Sequence, residues 1–157
     1  MPSIHLTTFV AAPIKRVFDL SRSIDLHQLS TAHTDEKAID GVMKGLINEN
    51  EMVTWEAKHL FRKRQFTSRI AAMQTPLHFI DEMEKGDFKS FRHEHHFKEV
   101  TNGTIMIDQV NFESPYGALG RWINSLYLKK YLEKLLINRN NVIKDYAETE
   151  KWKTILS

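Results

Sequence analysis

The chain has 157 residues, 41% of them hydrophobic and 27% charged, which is the size and balance of one soluble globular domain rather than a disordered chain. Its formal charge of +2 comes from 22 basic and 20 acidic side chains and lacks the clustered excess of a nucleic-acid binder. The absence of cysteine excludes disulfides, thiolate catalysis and cysteine-ligated metal sites.

The start, Met-Pro-Ser-Ile-His, has no charged segment followed by an apolar run, so no signal peptide is expected. Ile4, Leu6 and Thr8 alternate with His5, Thr7 and Phe9 and read as a first strand. Pro13 is well placed as an early helical residue, and Val17, Phe18 and Leu20 predict a short helix from there. A second short helix is expected from Ser23 to Leu29, and a short strand from Glu36 to Asp40. The stretch from Gly41 to Asn50 reads as a connection.

Three strands follow. In Met52–Leu60, Val53, Trp55, Ala57 and His59 share a face. In the next, Phe66, Ser68 and Ile70 do. Arg62-Lys63-Arg64 between them reads as a polar turn. Leu77 to Lys85 puts Phe79, Asp81 and Met83 on one side, and Gly86-Asp87 turns the chain. Two longer runs then alternate with period two. The first collects Phe91, His93, His95 and Phe97 on one face, and the second Met106, Asp108, Val110 and Phe112. Asn102-Gly103 between them is the best hairpin signal in the chain.

After Ser114-Pro115-Tyr116-Gly117 the period changes. Leu119, Trp122, Ile123, Leu126, Leu132, Leu135, Leu136, Val142, Ile143 and Tyr146 recur at three- and four-residue spacing, which predicts one long amphipathic helix. About 30 residues would span roughly 45 Å, enough to cross a small sheet. No run of about eighteen apolar residues occurs, so no membrane span is expected, and a cytoplasmic location follows by default. One strand, two short helices, six strands and a long helix make a single α+β domain over residues 1–157.

This order, with Val53-Thr54-Trp55, Ala57 and His59, then Pro76, Phe79 and Asp81, then Gly86 and Phe88, resembles the START/Bet v 1-like (SRPBCC) superfamily. Phe91, His93, His95 and Phe97, then Thr104, Met106 and Asp108, then Pro115, Gly117 and Gly120 resemble its bacterial polyketide-cyclase-like branch. So does the helix segment from Tyr131-Leu132 to Arg139-Asn140. The resemblance implies a helix-grip fold, in which a curved seven-stranded antiparallel sheet wraps around a long C-terminal helix, with two short helices after the first strand. It also implies an internal cavity that accepts a small apolar or aromatic molecule, lipid-like or polyketide-like.

A strand face that is apolar at its ends and carries imidazoles at its middle looks like a pocket wall. His59, Asp81, His93, His95 and Asp108 are the polar groups expected on it. Counting outward from the hairpin puts Asp108 near Phe97 or His95, and within reach of His93 if a bulge shifts the register. Three roles stay open: a ligand anchor, an acid–base pair for cyclase or dehydratase chemistry, or a hydrogen-bonded network that only fixes the sheet. Trp55, Phe79, Met83, Phe91, Phe97, Met106, Val110 and Phe112 either fill a core or line the cavity, with Trp122, Ile123 and Leu126 closing it from the helix. A filled core would leave a protein-interaction module working through its outer surface.

His93-x-His95 also spaces two metal ligands on one face, with Asp108 or His59 to complete a set. Strand histidines at this spacing occur without metal and the resemblance implies none, so neither metal nor cofactor is expected. Ser68 and Ser90 have no base at motif spacing, and Gly117-x-x-Gly120 lacks the dinucleotide fingerprint.

Overall fold

The computed structural model describes the backbone of residues 2–59, 62–114 and 118–156, and the side chains of the same residues except 59 and 118–125. Strand β1 (Ser3–Val10) leads into helices α1 (Ile14–Ser21) and α2 (Ile24–Ser30) and a short 3-10 turn at Ala32–Thr34. Strands β2 (Lys37–Gly41), β3 (Met52–His59), β4 (Arg62–Gln74), β5 (His78–Lys85), β6 (Ser90–Val100) and β7 (Gly103–Glu113) follow. Helix α3 (Ala118–Glu148), a 3-10 turn at Glu150–Trp152 and a last helical turn, α4 (Lys153–Leu156), complete the described chain.

Among the described residues seven strands form one antiparallel sheet in the order β1-β7-β6-β5-β4-β3-β2. Every neighbouring pair except β1–β7 is consecutive in sequence, so the sheet is a meander closed at one edge by the first strand. Pro13 stands at the N-cap of α1, and the Ser23 hydroxyl caps α2 by accepting from the Leu26 N–H (3.1 Å). The chain therefore breaks between the two short helices and lays both against the sheet.

Two turns differ from expectation. Val100 pairs with Gly103, so the β6–β7 loop is Thr101-Asn102 and the glycine begins β7. A Cβ on Gly103 would lie 2.3 Å from the Val10 carbonyl oxygen, and its φ is +158°. Glycine is needed there because the end of β1 passes against the hairpin. Arg62-Lys63-Arg64 is not a turn. It opens β4, paired with His59, Lys58 and Ala57.

The core divides along α3. Toward its C-terminus Ile143 and Ala147 are fully buried with Val10, Val17, Phe18 and Met106. The ring of Phe18 meets Phe79 and Phe97 edge-on, at 5.5 and 5.3 Å. A smaller cluster of Ile4, Val110 and Phe112 packs under Leu128, Leu132 and Leu136. These last three helix residues are only half-buried. That half of α3 stands off β3–β6, and the gap is the cavity.

Candidate functional site: a cavity with a buried histidine–aspartate network

Between β3–β6, α2 and α3 lies a cavity of about 410 Å³, within the usual range for small-molecule sites. Ile24, Ile47, Val53, Ile70, Phe66, Phe91, Leu132 and Leu136 form much of its wall. Of the residues expected there, Trp55, Phe79, Asp81, Phe91, His93 and His95 line it. Phe97, Met106, Val110 and Phe112 are buried in packed core instead: α1 and the tight half of α3 cover the first two, and Val110 and Phe112 pack with Ile4 and Phe88 under Leu128, Leu132 and Leu136. The Met83 sulfur lies against Gly86 and does not reach the cavity. Leu126 is 54% exposed on the outer side of α3, so it closes nothing. The side chains of His59, Trp122 and Ile123 lie outside the described residues, as do residues 115–117.

The polar centre sits on three adjacent strands. Asp81 of β5 is directly opposite His93 of β6, and Asp108 of β7 is directly opposite His95. The bonds run diagonally across this square. His93 Nε2–H donates to Asp108 Oδ1 (2.7 Å), and His95 Nε2–H donates to Asp81 Oδ2 (2.8 Å). No register shift interrupts β6–β7, so Asp108 reaches His93 without the bulge expected for that contact; two same-face residues on neighbouring strands already reach. The two imidazoles stack at 3.6 Å, and His95 stacks in turn on Phe79 at 4.1 Å.

Helix α3 completes the network with two residues the strand pattern did not single out. Asn140 Nδ2 donates to Asp108 Oδ2 (2.8 Å). Arg139 donates from Nη1 to Asn140 Oδ1 (2.9 Å) and from Nη2 to the Ser21 carbonyl (3.1 Å), and its Nη1 lies 3.6 Å from Asp108 Oδ1. Asp108 is completely buried, and His93, His95, Arg139 and Asn140 nearly so. The signal was in the helix: Arg139 stands three or four residues from Leu135, Leu136 and Ile143, and Asn140 from Leu136 and Ile143, where the apolar stripe should continue.

The electrostatics follow from this geometry. Burial pushes the Asp108 carboxyl up, but hydrogen bonds from His93 and His95 and the Arg139 charge outweigh it and hold the group well below the usual range. Asp81 is likewise lowered: burial opposes, and the His95 hydrogen bond prevails. Burial lowers His93, aided by neighbouring His95, and the Asp108 contact only partly offsets this. His93 is therefore a neutral imidazole whose Nε2–H is held by an ionised carboxylate, with its lone pair on Nδ1. His95 Nδ1 lies 3.5 Å from Arg139 Nη2 and 3.4 Å from Asp108 Oδ1.

Asp81, His93 and His95 each offer a ligating atom, all within 4.8 Å of one another. Their arrangement does not suit one ion. The stacked rings are only 27° from parallel, so a single metal at ~2 Å cannot lie in both imidazole planes.

A second polar cluster touches the same cavity and was not expected. His27 of α2 pairs with Glu36, just before β2, and its ring rests on Trp55 with centroids 4.3 Å apart. Tyr131 of α3 lines the cavity there, its phenol pushed up by burial and by the nearby Tyr127 and Glu36.

No family model and no curated protein matches the sequence. Solved structures do resemble the fold. The protein TTHA0849 from Thermus thermophilus superposes with a TM-score of 0.70 at 15% identity, covering 90% of this chain and 97% of that one. Major latex-like protein 151 from Panax ginseng gives 0.67 at 12% identity, covering 94% and 98%. The di-domain ARO/CYC StfQ from the steffimycin biosynthetic pathway gives 0.75 at 12% identity, covering 93% of this chain and half of that one. No described helix is long and apolar enough to cross a membrane. The seven-stranded antiparallel sheet, the paired short helices after β1 and the long helix lying across the sheet make a Bet v 1-like helix-grip fold, which this chain shares with these solved structures.

Proposed function

We propose that the protein binds a small apolar or aromatic molecule, lipid-like or polyketide-like, in the cavity under α3. The observation that carries this reading is a cavity of about 410 Å³ whose largely apolar wall is interrupted on one side by Asp81, His93 and His95. Apolar surface supplies the driving force, and a few fixed polar groups set orientation. A protein working only through its outer surface gains nothing from holding such a space open, since unfilled volume costs stability.

The test is titration with an apolar fluorescent probe, 1-anilinonaphthalene-8-sulfonate. The folded protein is expected to bind it with enhanced emission, and Phe91→Glu to abolish the effect by placing an unpaired charge in the wall. A folded protein that leaves the probe dark would overturn the proposal. Phe91 suits the test because it is only partly buried, whereas fully buried Met106 would report on folding instead.

One observation favours a second reading. His93 is neutral, lines the cavity and is backed by ionised Asp108, which is what a general base needs. On that reading the protein is a cyclase- or dehydratase-type enzyme. Turnover of a polyketide-like substrate that is lost in His93→Gln while probe binding persists would establish it.

A further inference from the structure

Among the polar side chains that line the cavity, two stations pair an imidazole with a carboxylate, and the strand register separates them. Trp55, under the His27 ring, pairs with Phe66 on β4, while Asp81 pairs with Ile70 of the same strand. Two strand spacings and four residues thus lie between them, about 16 Å along the sheet. The wall between is apolar or nearly so: Val53, Phe66, Ser68, Ile70 and, from the other elements, Ile24 and Leu132.

Each station is an ionisable pair set into this wall. The Glu36 side chain is 10% exposed and that of His27 30%. A purely apolar occupant would strip water from both stations and give nothing back, which costs affinity. An occupant with a hydroxyl at each end would replace that water, because a carboxylate accepts several hydrogen bonds at once and can take a hydroxyl beside its imidazole partner. The tilted His27–Trp55 pair and the Phe79–His95 stack offer aromatic faces at the two ends, which favours rings over a flexible chain.

We propose that the ligand is an elongated, rigid, ring-bearing molecule with a hydrogen-bonding hydroxyl at each end, one donated to the Asp81 carboxylate beside the His93 and His95 rings and the other to the Glu36 carboxylate beside the His27 ring. This rests on the cavity-binding reading and narrows it to a class of compound.

Three isosteric rods test it: 4,4'-dihydroxystilbene, 4-hydroxystilbene and stilbene, titrated into the full chain by their own fluorescence. The diol is expected to bind about tenfold more tightly than the mono-ol, and the mono-ol more tightly than stilbene, as one hydrogen bond to a charged group allows. In the double variant His27→Phe/Glu36→Leu the diol's advantage over the mono-ol should shrink to less than twofold. That variant replaces both partners by apolar groups of similar size, a change proteins tolerate well, and circular dichroism verifies its fold. Equal binding of diol and mono-ol by the wild-type protein overturns the proposal while leaving cavity binding intact. So does an advantage that survives the double substitution. If none of the three rods binds, this proposal is overturned, and the titration with 1-anilinonaphthalene-8-sulfonate decides whether the cavity reading falls with it.

Discussion

Replacing Asp108 by alanine should be among the most damaging single changes in the sheet. The carboxylate is fully buried and receives the His93 Nε2–H at 2.7 Å and the Asn140 amide at 2.8 Å. It is also the negative charge nearest Arg139, at 3.6 Å. Alanine leaves two donors and a guanidinium buried with fewer partners. Breaking a buried ion pair from one side costs about 3–5 kcal/mol, and each orphaned donor about 1–3 kcal/mol. These overlap, since Arg139 keeps Asn140 Oδ1 and the Ser21 carbonyl. We therefore expect a loss of about 4 kcal/mol, read as a lower urea midpoint at unchanged slope by far-UV circular dichroism. Asp108→Asn keeps an acceptor and the volume and should lose about half as much. Asp81→Ala should lose only about 1–2 kcal/mol, because its side chain is 21% exposed and water can replace it. A loss below about 1 kcal/mol for Asp108→Ala would mean that the network does not form, and the placement of α3 through Arg139 and Asn140 would fall with it.

Three further outcomes are expected. Because the folded state lowers His93 from its ordinary value of 6.5, the unfolded chain takes up a proton there that the folded protein resists. Stability should thus fall as pH drops below about 6.5, by at most ~1.4 kcal/mol per pH unit. The Asp108 contribution is complete above about 3.8 and disappears only as pH falls further, through its lowered folded value. Urea midpoints between pH 4 and 8 check this, and a midpoint that rises on acidification would contradict it. Gly103→Ala should destabilise by about 2 kcal/mol, since the new Cβ meets backbone at 2.3 Å rather than a movable side chain; an unchanged thermal midpoint would show that β1 can move away. Leu126→Ser, on the outer side of α3, should change stability by less than about 0.5 kcal/mol and leave probe binding as it was, and a loss of binding would place Leu126 at the cavity after all.

The element order, the seven strands, the hairpin between β6 and β7 and the long helix were all legible in the sequence, because period-two and period-3.6 patterns are local consequences of which face meets the core. The same alternation put His93, His95, Asp81 and Asp108 on one face, and the strand register joined them there. Which carboxylate bonds which imidazole was not legible. Direct opposition on the strands pairs Asp81 with His93, whereas the side chains bond along the diagonals, a choice made by ring stacking and by Arg139 and Asn140 arriving from far along the chain. Nor could periodicity separate lining from filling: Phe91 and Phe97 alternate identically, yet α3 stands off the first, and the second packs against Phe18. His27 and Glu36 lie in short, weakly patterned segments, and only tertiary packing brings them together over Trp55. The sequence by itself determines which residues share a surface; how far the opposing element stands from that surface is a sum of distant contacts, and that distance decides whether a core becomes a cavity.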